Sequence, residues 1–168
     1  SKLNDPEKDL LEEFKRLLNQ AVERQMVSDV GLGAFLSSGK DSFAIVKAMQ
    51  EVNKGITTAF SMGFNNTKFD ELEGAQLIAD TLGVKLISSR INMNVDKLIE
   101  AIMPTMREPF ADPSGLPTYL LCKMASKHVK VVLGGDGADE LFGGYEVYWA
   151  NDLAKWYRMV PDIIRERF

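Results

Sequence analysis

The residues best suited to chemistry lie where an apolar run breaks off into a short polar loop. After residues 34–36 the chain reads Ser37-Ser38-Gly39-Lys40-Asp41-Ser42, and a helical pattern of apolar residues follows. Small residues let a backbone approach a ligand closely, and the amides that open a helix attract anions. A strand, this loop and a helix are therefore expected to form a phosphate cradle, with an ordinary capped turn as the alternative.

Two standard nucleotide-binding motifs do not fit this loop. A Walker loop needs four residues between its first glycine and Gly-Lys-Ser/Thr, whereas Gly33 stands one residue too early and Asp41 follows Lys40. A Rossmann fingerprint fails as well, because Gly31 and Gly33 precede the end of the strand. A phosphate cradle here belongs to another class of nucleotide site.

A second polar block closes a later apolar strand. It reads Gly134-Gly135-Asp136-Gly137-Ala138-Asp139-Glu140. Magnesium takes one or two carboxylates together with phosphate oxygens. Asp41 and Asp139 are therefore expected to meet at the strand ends and to hold Mg²⁺ against a polyphosphate. The alternative is a capped, solvated turn.

Alternating strands and helices are predicted to position these loops. The apolar runs indicate strands over 31–36, 56–62, 84–88 and 129–133. Helical patterns run from residue 5 past residue 22, from the loop to 52, from 69 to 83, over 95–107, over 116–127 and from 147 onward. The alternation predicts an α/β fold with a parallel twisted sheet and helices on both faces. Ligands then bind at the carboxyl ends of the strands, where Gly39, Gly63 and Gly134–Gly135 are expected in loops.

Packing or surface positions, rather than chemical roles, are expected for one helix face and three single residues. The first helix repeats apolar residues at three- and four-residue steps, and this face is expected to pack against the sheet. Cys122 is expected to be a small buried residue within a helix. His128 and Lys40 are expected at the surface.

Length and composition are those of one ordinary globular domain. The 168 residues carry a formal charge of −4 and no basic stripe, so nucleic-acid binding is not indicated. One cysteine excludes an intramolecular disulfide framework and fits a reducing compartment. Without a long apolar run or a basic-then-apolar leader, no membrane association is expected and the cytoplasm is the predicted location.

Several ordered motifs carry a resemblance to a known family. They are the approach 26–31, the polar loop, Phe60-Ser61-Met62-Gly63-Phe64, Phe69-Asp70-Glu71, Pro117-Thr118-Tyr119-Leu120-Leu121 and the block from Val132 to Tyr145. With them the chain resembles the synthetase domain of the glutamine-dependent asparagine synthetases. That domain is part of the ATP pyrophosphatase family, with its Ser-Gly-Gly-x-Asp-Ser loop and adenine nucleotide α-hydrolase-like fold.

The resemblance implies an AMP-forming amide ligase, a carbon–nitrogen ligase of asparagine biosynthesis. ATP would activate the side-chain carboxylate of aspartate as an acyl-adenylate, pyrophosphate would leave, and ammonia from a glutaminase domain or subunit would attack. ATP and Mg²⁺ are the implied cofactors. A homodimer is left open.

The same resemblance assigns roles by position. Leu36, Met62 and Gly63 would contact the adenosine, and Gly134 and Gly135 would line the nucleotide site. The pyrophosphate would be held by Ser37, Ser38, Gly39, Asp41 and Ser42. Asp41 and Asp139 would bind Mg²⁺, and Asp136 matches an acidic position that assists the ammonia step. The catalytic set is thus Asp41, Asp136 and Asp139.

Two departures from the family pattern qualify this interpretation. Ser38 stands where the family loop has a glycine, so a positive φ there would be strained. The N-terminal glutaminase and the helical C-terminal part that supplies a lysine have no counterpart here. We therefore expect residues 1–168 to form one ATP-pyrophosphatase domain, an excised core. The alternatives are a non-catalytic nucleotide-binding module and a related amidotransferase or β-lactam-type synthetase with another carboxylate.

Overall fold

A computed structural model describes residues 6–53, 55, 57–64, 70–91, 95–106, 108, 112 and 114–158. The chain divides into two compact units, Ser1–Gly135 and Asp136–Phe168. The first unit contains the sheet and most of the helices. Each unit is described by itself.

The elements of the first unit alternate between helix and strand after an initial helix. Its helices are α1 (Pro6–Gln25), α2 (Lys40–Val52), α3 (Leu72–Leu82), α4 (Val95–Ile102) and α5 (Gly115–Ala125). Its strands are β1 (Leu32–Phe35), β2 (Thr58–Phe64), β3 (Lys85–Ile91) and β4 (Val131–Leu133). A 3₁₀ turn, Met103–Thr105, follows α4. The second unit contains α6 (Ala138–Phe142) and α7 (Glu146–Arg158).

All strand pairs in the sheet are parallel, in the order β3-β2-β1-β4. Ala34 of β1 lies opposite Ala59 of β2 on one side and Leu133 of β4 on the other. From β1 to β3 each strand is added on one side, whereas β4 is added on the other. The order therefore reverses between β1 and β4, and parallel α/β sheets in general bind ligands at the carboxyl ends of the strands at such a reversal.

Small residues bring α2 and α3 close to the sheet. Ala34 and Ala59 on the strands and Ala75 and Ala79 on α3 are all completely buried in one cluster. Phe60 follows Ala59, so its fully buried ring points to the opposite face, where it meets His128 at a centroid distance of 5.8 Å. α5 packs on β2 there. The predicted α/β class, with helices on both faces of a parallel sheet, is confirmed.

The first helix does not pack as predicted. α1 lies against α2, with a hydrogen bond of 3.0 Å from Asn19 to Glu51, because α2 and α3 already cover that face of the sheet. Only its C-terminal part reaches the core, through buried Val22. Leu10 and Leu11 in its N-terminal half are more than half exposed.

Several boundaries differ from the predicted ones. β2 extends to Phe64, so Gly63 lies inside a strand rather than in a loop, and β3 continues to Ile91. The helical pattern predicted over 95–107 is α-helical only to Ile102, and Pro104 falls in the 3₁₀ turn that follows. Cys122 is exposed on α5, so the prediction of a buried cysteine is wrong. His128 is exposed, as predicted.

Candidate functional site

The polar loop after β1 is tied together by its own serines. Ser42 accepts the amide of Ser37 at 3.1 Å and donates to the carbonyl oxygen of Gly39 at 3.1 Å. The hydroxyl oxygens of Ser37 and Ser42 are 2.9 Å apart, and the amide of Gly39 donates to the Ser37 hydroxyl at 3.1 Å. Ser42 is buried. These two hydroxyls therefore shape the loop from inside.

The first turn of α2 is open toward the loop. Gly39 is the N-cap residue, and no side chain caps the helix there. Lys40 is exposed, as predicted, and so is Asp41. Amides at an uncapped helix start carry partial positive charge, so this turn is a favourable place for a phosphate group. The phosphate cradle predicted for the loop thus has its helix N-terminus in place.

The loop adopts its shape without backbone strain at Ser38. No described residue other than glycine has a positive φ, and Gly39 itself is extended, at φ −76° and ψ 153°. The expectation of strain at Ser38 is therefore wrong. Ser38 instead packs closely against α3. A Cβ added to Gly74 would lie only 2.6 Å from the Ser38 Cβ, closer than such atoms approach in proteins.

The end of β4 meets the end of β1 as the strand order requires. A Cβ added to Gly135 would lie 3.0 Å from the Asp41 Cβ and 3.1 Å from the Ser42 amide nitrogen. Only a glycine leaves room for this approach. Gly134 is half-buried beside it, and Leu36 is buried with its amide donating to the Phe60 carbonyl at 2.9 Å. Predicted site residues from two strands are thus brought together.

Met62 and Gly63 lie near the carboxyl end of β2, on opposite faces. Met62 lines an open cavity, whereas a Cβ on Gly63 would lie 2.7 Å from the Asp70 Oδ1. Asp70 forms an ion pair with Arg90 and accepts the Leu72 amide at 3.3 Å. Burial opposes ionisation of Asp70, but the hydrogen bonds outweigh it and hold its pKa below the ordinary value.

The acidic block of the second unit forms a short helix between two glycine turns. Gly137 at φ +89° begins α6 and Gly143 at φ +69° ends it. The Gly144 amide donates to the Asp139 carbonyl at 3.0 Å, and a Cβ on Gly144 would overlap the Asp139 carboxylate. Asp139 is half-buried and Asp136 is exposed.

A tyrosine that follows α6 forms a hydrogen bond with the acidic block. Tyr145 donates its hydroxyl to Glu140 Oε1 at 2.7 Å. Because the bond needs the protonated phenol, it raises the pKa of Tyr145 to about 12 and lowers that of Glu140. No side chain caps α6 at Gly137, and the choice between a metal-binding block and a capped, solvated turn stays a prediction.

The carboxylates predicted to bind Mg²⁺ belong to different compact units. Asp41 is in the first unit and Asp139 in the second, so their meeting stays a prediction. The described part of the chain contains no cluster of three or more His, Cys, Asp or Glu side chains suited to a metal. Two accessible carboxylates nevertheless suit Mg²⁺, which completes its shell with phosphate oxygens and water.

Sequence reasoning missed Gly74 and Arg90. A glycine inside a helical pattern often marks a close approach, and Gly74 was such a signal in the third helix. Arg90 stands at the carboxyl end of β3, and no spacing in the sequence shows that it pairs with Asp70.

No helix in the described ranges is both long and apolar enough to span a membrane.

Comparison with solved structures shows the fold. The NH3-dependent NAD synthetase from Campylobacter jejuni superposes with a TM-score of 0.54 at 17% identity, over 80% of this chain and 60% of that chain. The NMN synthetase from Francisella tularensis gives 0.54 at 18%, over 80% and 58%. The predicted adenine nucleotide α-hydrolase-like fold is confirmed.

Comparison with curated proteins gives closer relatives. Asparagine synthetase [glutamine-hydrolyzing] 1 of Bacillus subtilis is 37% identical over 94% of this chain, which spans 25% of that relative. A putative asparagine synthetase 2 of Methanocaldococcus jannaschii is 39% identical over 94%, and the chain spans 31% of it. The relatives are named as ligases, in agreement with the predicted enzyme class. The family model described as "Asparagine synthase" matches residues 13–167, and the chain therefore belongs to the asparagine synthase family.

Proposed function

We propose that this chain is the ATP-binding core of an AMP-forming amide ligase that makes an amide from the side-chain carboxylate of aspartate. One observation carries the proposal. The serine-tied loop after β1 and Gly135 after β4 converge on the uncapped first turn of α2, at the reversal of strand order. Nucleotides bind at such points in parallel α/β sheets.

The first turn of α2 would bind the departing pyrophosphate. Its amides and the exposed Ser38 hydroxyl would donate to the polyanion, while Ser37 and Ser42 hold the loop in shape and Gly39 begins the turn. Donors that are already fixed stabilise charge without reorganising during the reaction. Loss of pyrophosphate from the α-phosphorus would therefore be assisted by groups that do not move.

The remaining roles are those that the family resemblance implies for matching positions, and they are part of the proposal. Leu36, Met62 and Gly63 would contact the adenosine, with Gly134 and Gly135 lining the crevice. Asp41 and Asp139 would hold Mg²⁺, which supplies positive charge against the phosphates. Asp136, which is exposed, would take up a proton from the attacking ammonia.

The wider assembly is part of the proposal. Because the chain spans 25–31% of the two relatives described above, a glutaminase domain or subunit would supply ammonia from outside residues 1–168. We also propose that residues 1–168 act as one ATP-pyrophosphatase domain and that the protein is located in the cytoplasm.

Calorimetry with ATP and Mg²⁺ on the intact protein tests the binding step. Asp41→Asn and Asp139→Asn should each weaken binding in the presence of Mg²⁺, with Lys15→Gln on α1 as an exposed control. If neither aspartate change affects the affinity, the metal assignment is wrong.

Exchange of labelled pyrophosphate into ATP tests the chemistry. Exchange that requires aspartate would support the proposed acceptor. Exchange that requires a different carboxylate would favour a related amidotransferase or β-lactam-type synthetase. ATP binding without exchange under any carboxylate would favour a non-catalytic nucleotide-binding module.

A further inference from the structure

An open cavity of about 280 Å³ lies beside the carboxyl-terminal parts of β2 and β3 and is closed on another side by α5. Its apolar part is lined by the half-buried side chains of Met62, Leu120 and Met124. Methionine side chains are flexible and polarisable, so such a wall adapts to ligands of different shape. The cavity size is at the lower end of that found for small-molecule sites.

All the charged residues that line the cavity are cationic, and one uncharged polar residue, Ser89, lines it with them. Arg90, Lys123 and Lys127 line it, and none of the lining residues is acidic. The chain as a whole carries a net charge of −4, so this is a local reversal of sign. Positive side chains around a low-dielectric wall concentrate anions from solution.

Two of the three cations are not neutralised by nearby carboxylates. Arg90 pairs with Asp70, whereas neither Lys123 nor Lys127 forms an ion pair with any described residue. Lys123 lies in the last turn of α5 and Lys127 in the turn just beyond the end of that helix. Both line the same cavity, where their like charges repel. Lys123 is held by the Tyr119 ring, whose centroid lies 5.6 Å from its Nζ. An anion between the lysines would relieve their repulsion.

We propose that this cavity binds a small organic anion, with a carboxylate or phosphate between Lys123 and Lys127 and an apolar body against Met62, Leu120 and Met124. The site goes beyond the ligase chemistry, because none of its cations belongs to the phosphate loop. Met62 is the one residue it shares with the proposed adenosine contacts. The ligand is recognised by charge at one end and by apolar contact at the other.

Methyl NMR of the intact protein labelled at its methionines tests the proposal. The probes are hexanoate, its neutral counterpart hexanamide, and hexyl phosphate. Hexanoate should shift the Met62 and Met124 methyl signals, which Met62→Leu and Met124→Leu assign, and hexanamide should bind more weakly. If hexyl phosphate binds more tightly than hexanoate, the natural ligand is a phosphate ester; the reverse order indicates a carboxylate.

Charge-matched variants locate the binding. Lys123→Gln and Lys127→Gln should each weaken hexanoate binding about threefold to fivefold, as expected for exposed charges. Lys15→Gln on α1 removes the same charge elsewhere and should leave the affinity unchanged. Circular dichroism checks that each variant is folded.

Three results would overturn the proposal. Equal shifts with hexanamide would show that charge is not recognised, and indifference to both lysine changes would show that the anion binds elsewhere. Displacement of hexanoate by ATP would show that the cavity is part of the nucleotide site. Loss of ATP binding in Asp41→Asn with hexanoate binding intact would leave this proposal standing and separate it from the ligase proposal.

Discussion

The two polar loops with candidate chemistry are built by different means. The loop at Ser37–Ser42 is held by side-chain hydroxyls and contains no residue with positive φ. The block at Asp136–Tyr145 depends on glycines with positive φ at both ends of α6 and on the Tyr145–Glu140 hydrogen bond. The first loop should therefore tolerate alanine at its glycine but not the loss of its buried hydroxyl, whereas the second should lose stability when alanine replaces a glycine with positive φ.

Alanine at the glycines gives the largest expected difference. Gly137→Ala should lower the free energy of unfolding of its unit by about 1–2 kcal/mol, because a Cβ is disfavoured at φ +89°. Gly39→Ala should cost less, about 0.5 kcal/mol, because its φ is −76° and a new Cβ requires only the Ser37 Oγ, 3.2 Å away, to shift by a few tenths of an ångström. Amide hydrogen exchange of α2 and α6, followed with increasing denaturant, measures both changes in unfolding free energy. Equal losses would show that the loops are not built differently.

Removal of hydroxyls reverses the comparison. Ser42→Ala leaves the Ser37 amide without its partner in a buried setting, and should cost about 1–2 kcal/mol of unfolding free energy. Ser38→Ala changes an exposed side chain and should cost less than about 0.5 kcal/mol. A Ser42→Ala protein as stable as the parent would mean that the serine network contributes nothing.

A double-mutant cycle tests the contact between Ser38 and α3. In the Ser38→Gly background, Gly74→Ala should stabilise the protein by up to about 1 kcal/mol, because alanine favours a helix. In the parent, the clash with the Ser38 Cβ should cancel or reverse this gain. Denaturation midpoints of the four proteins give the coupling. ATP titration of the same four proteins shows whether the contact positions the loop after β1. If the effects of the two substitutions on stability are additive, Ser38 and Gly74 do not interact.

Alkaline titration gives the smallest effect. The folded pKa of Tyr145 is raised to about 12, whereas an unfolded tyrosine ionises near 10. Its contribution to stability is thus complete below about pH 10 and is lost as pH rises through about 12. Glu140→Gln should bring the pKa down toward 10 in an ultraviolet titration, with Tyr119→Phe as a control for another tyrosine. The serine network contains no group that ionises in this range.

The sequence was sufficient where one local signal decides the structure. The Pro6 start of α1, the Gly83 end of α3 and the loop between β1 and α2 all follow from residue type and period. The position of the first loop at the carboxyl end of a parallel strand followed from alternating elements, whereas the strand order became known only from the structure. These features depend on neighbours in the chain.

The features that were missed depend on which elements lie side by side. Leu10, Leu11 and Leu17 of α1 are exposed because α2 and α3 cover that face of the sheet, and the period of apolar residues in α1 does not show this. Gly63 was placed in a loop because a glycine ends many strands, but pairing with β3 carries β2 two residues beyond its predicted end, to Phe64. The Ser38–Gly74 approach joins residues on different elements, so only the packed structure shows it.

The buried alanines beneath the phosphate loop have a consequence for its behaviour on heating. Alanine has no side-chain rotamers, so the seam formed by Ala34, Ala59, Ala75 and Ala79 admits a single spacing between sheet and helix. The packing between sheet and helix at these alanines cannot loosen gradually, whereas packing at flexible methionine side chains can. The loop is therefore expected to keep its shape up to the melting transition and to unfold cooperatively with the sheet and helix that it joins.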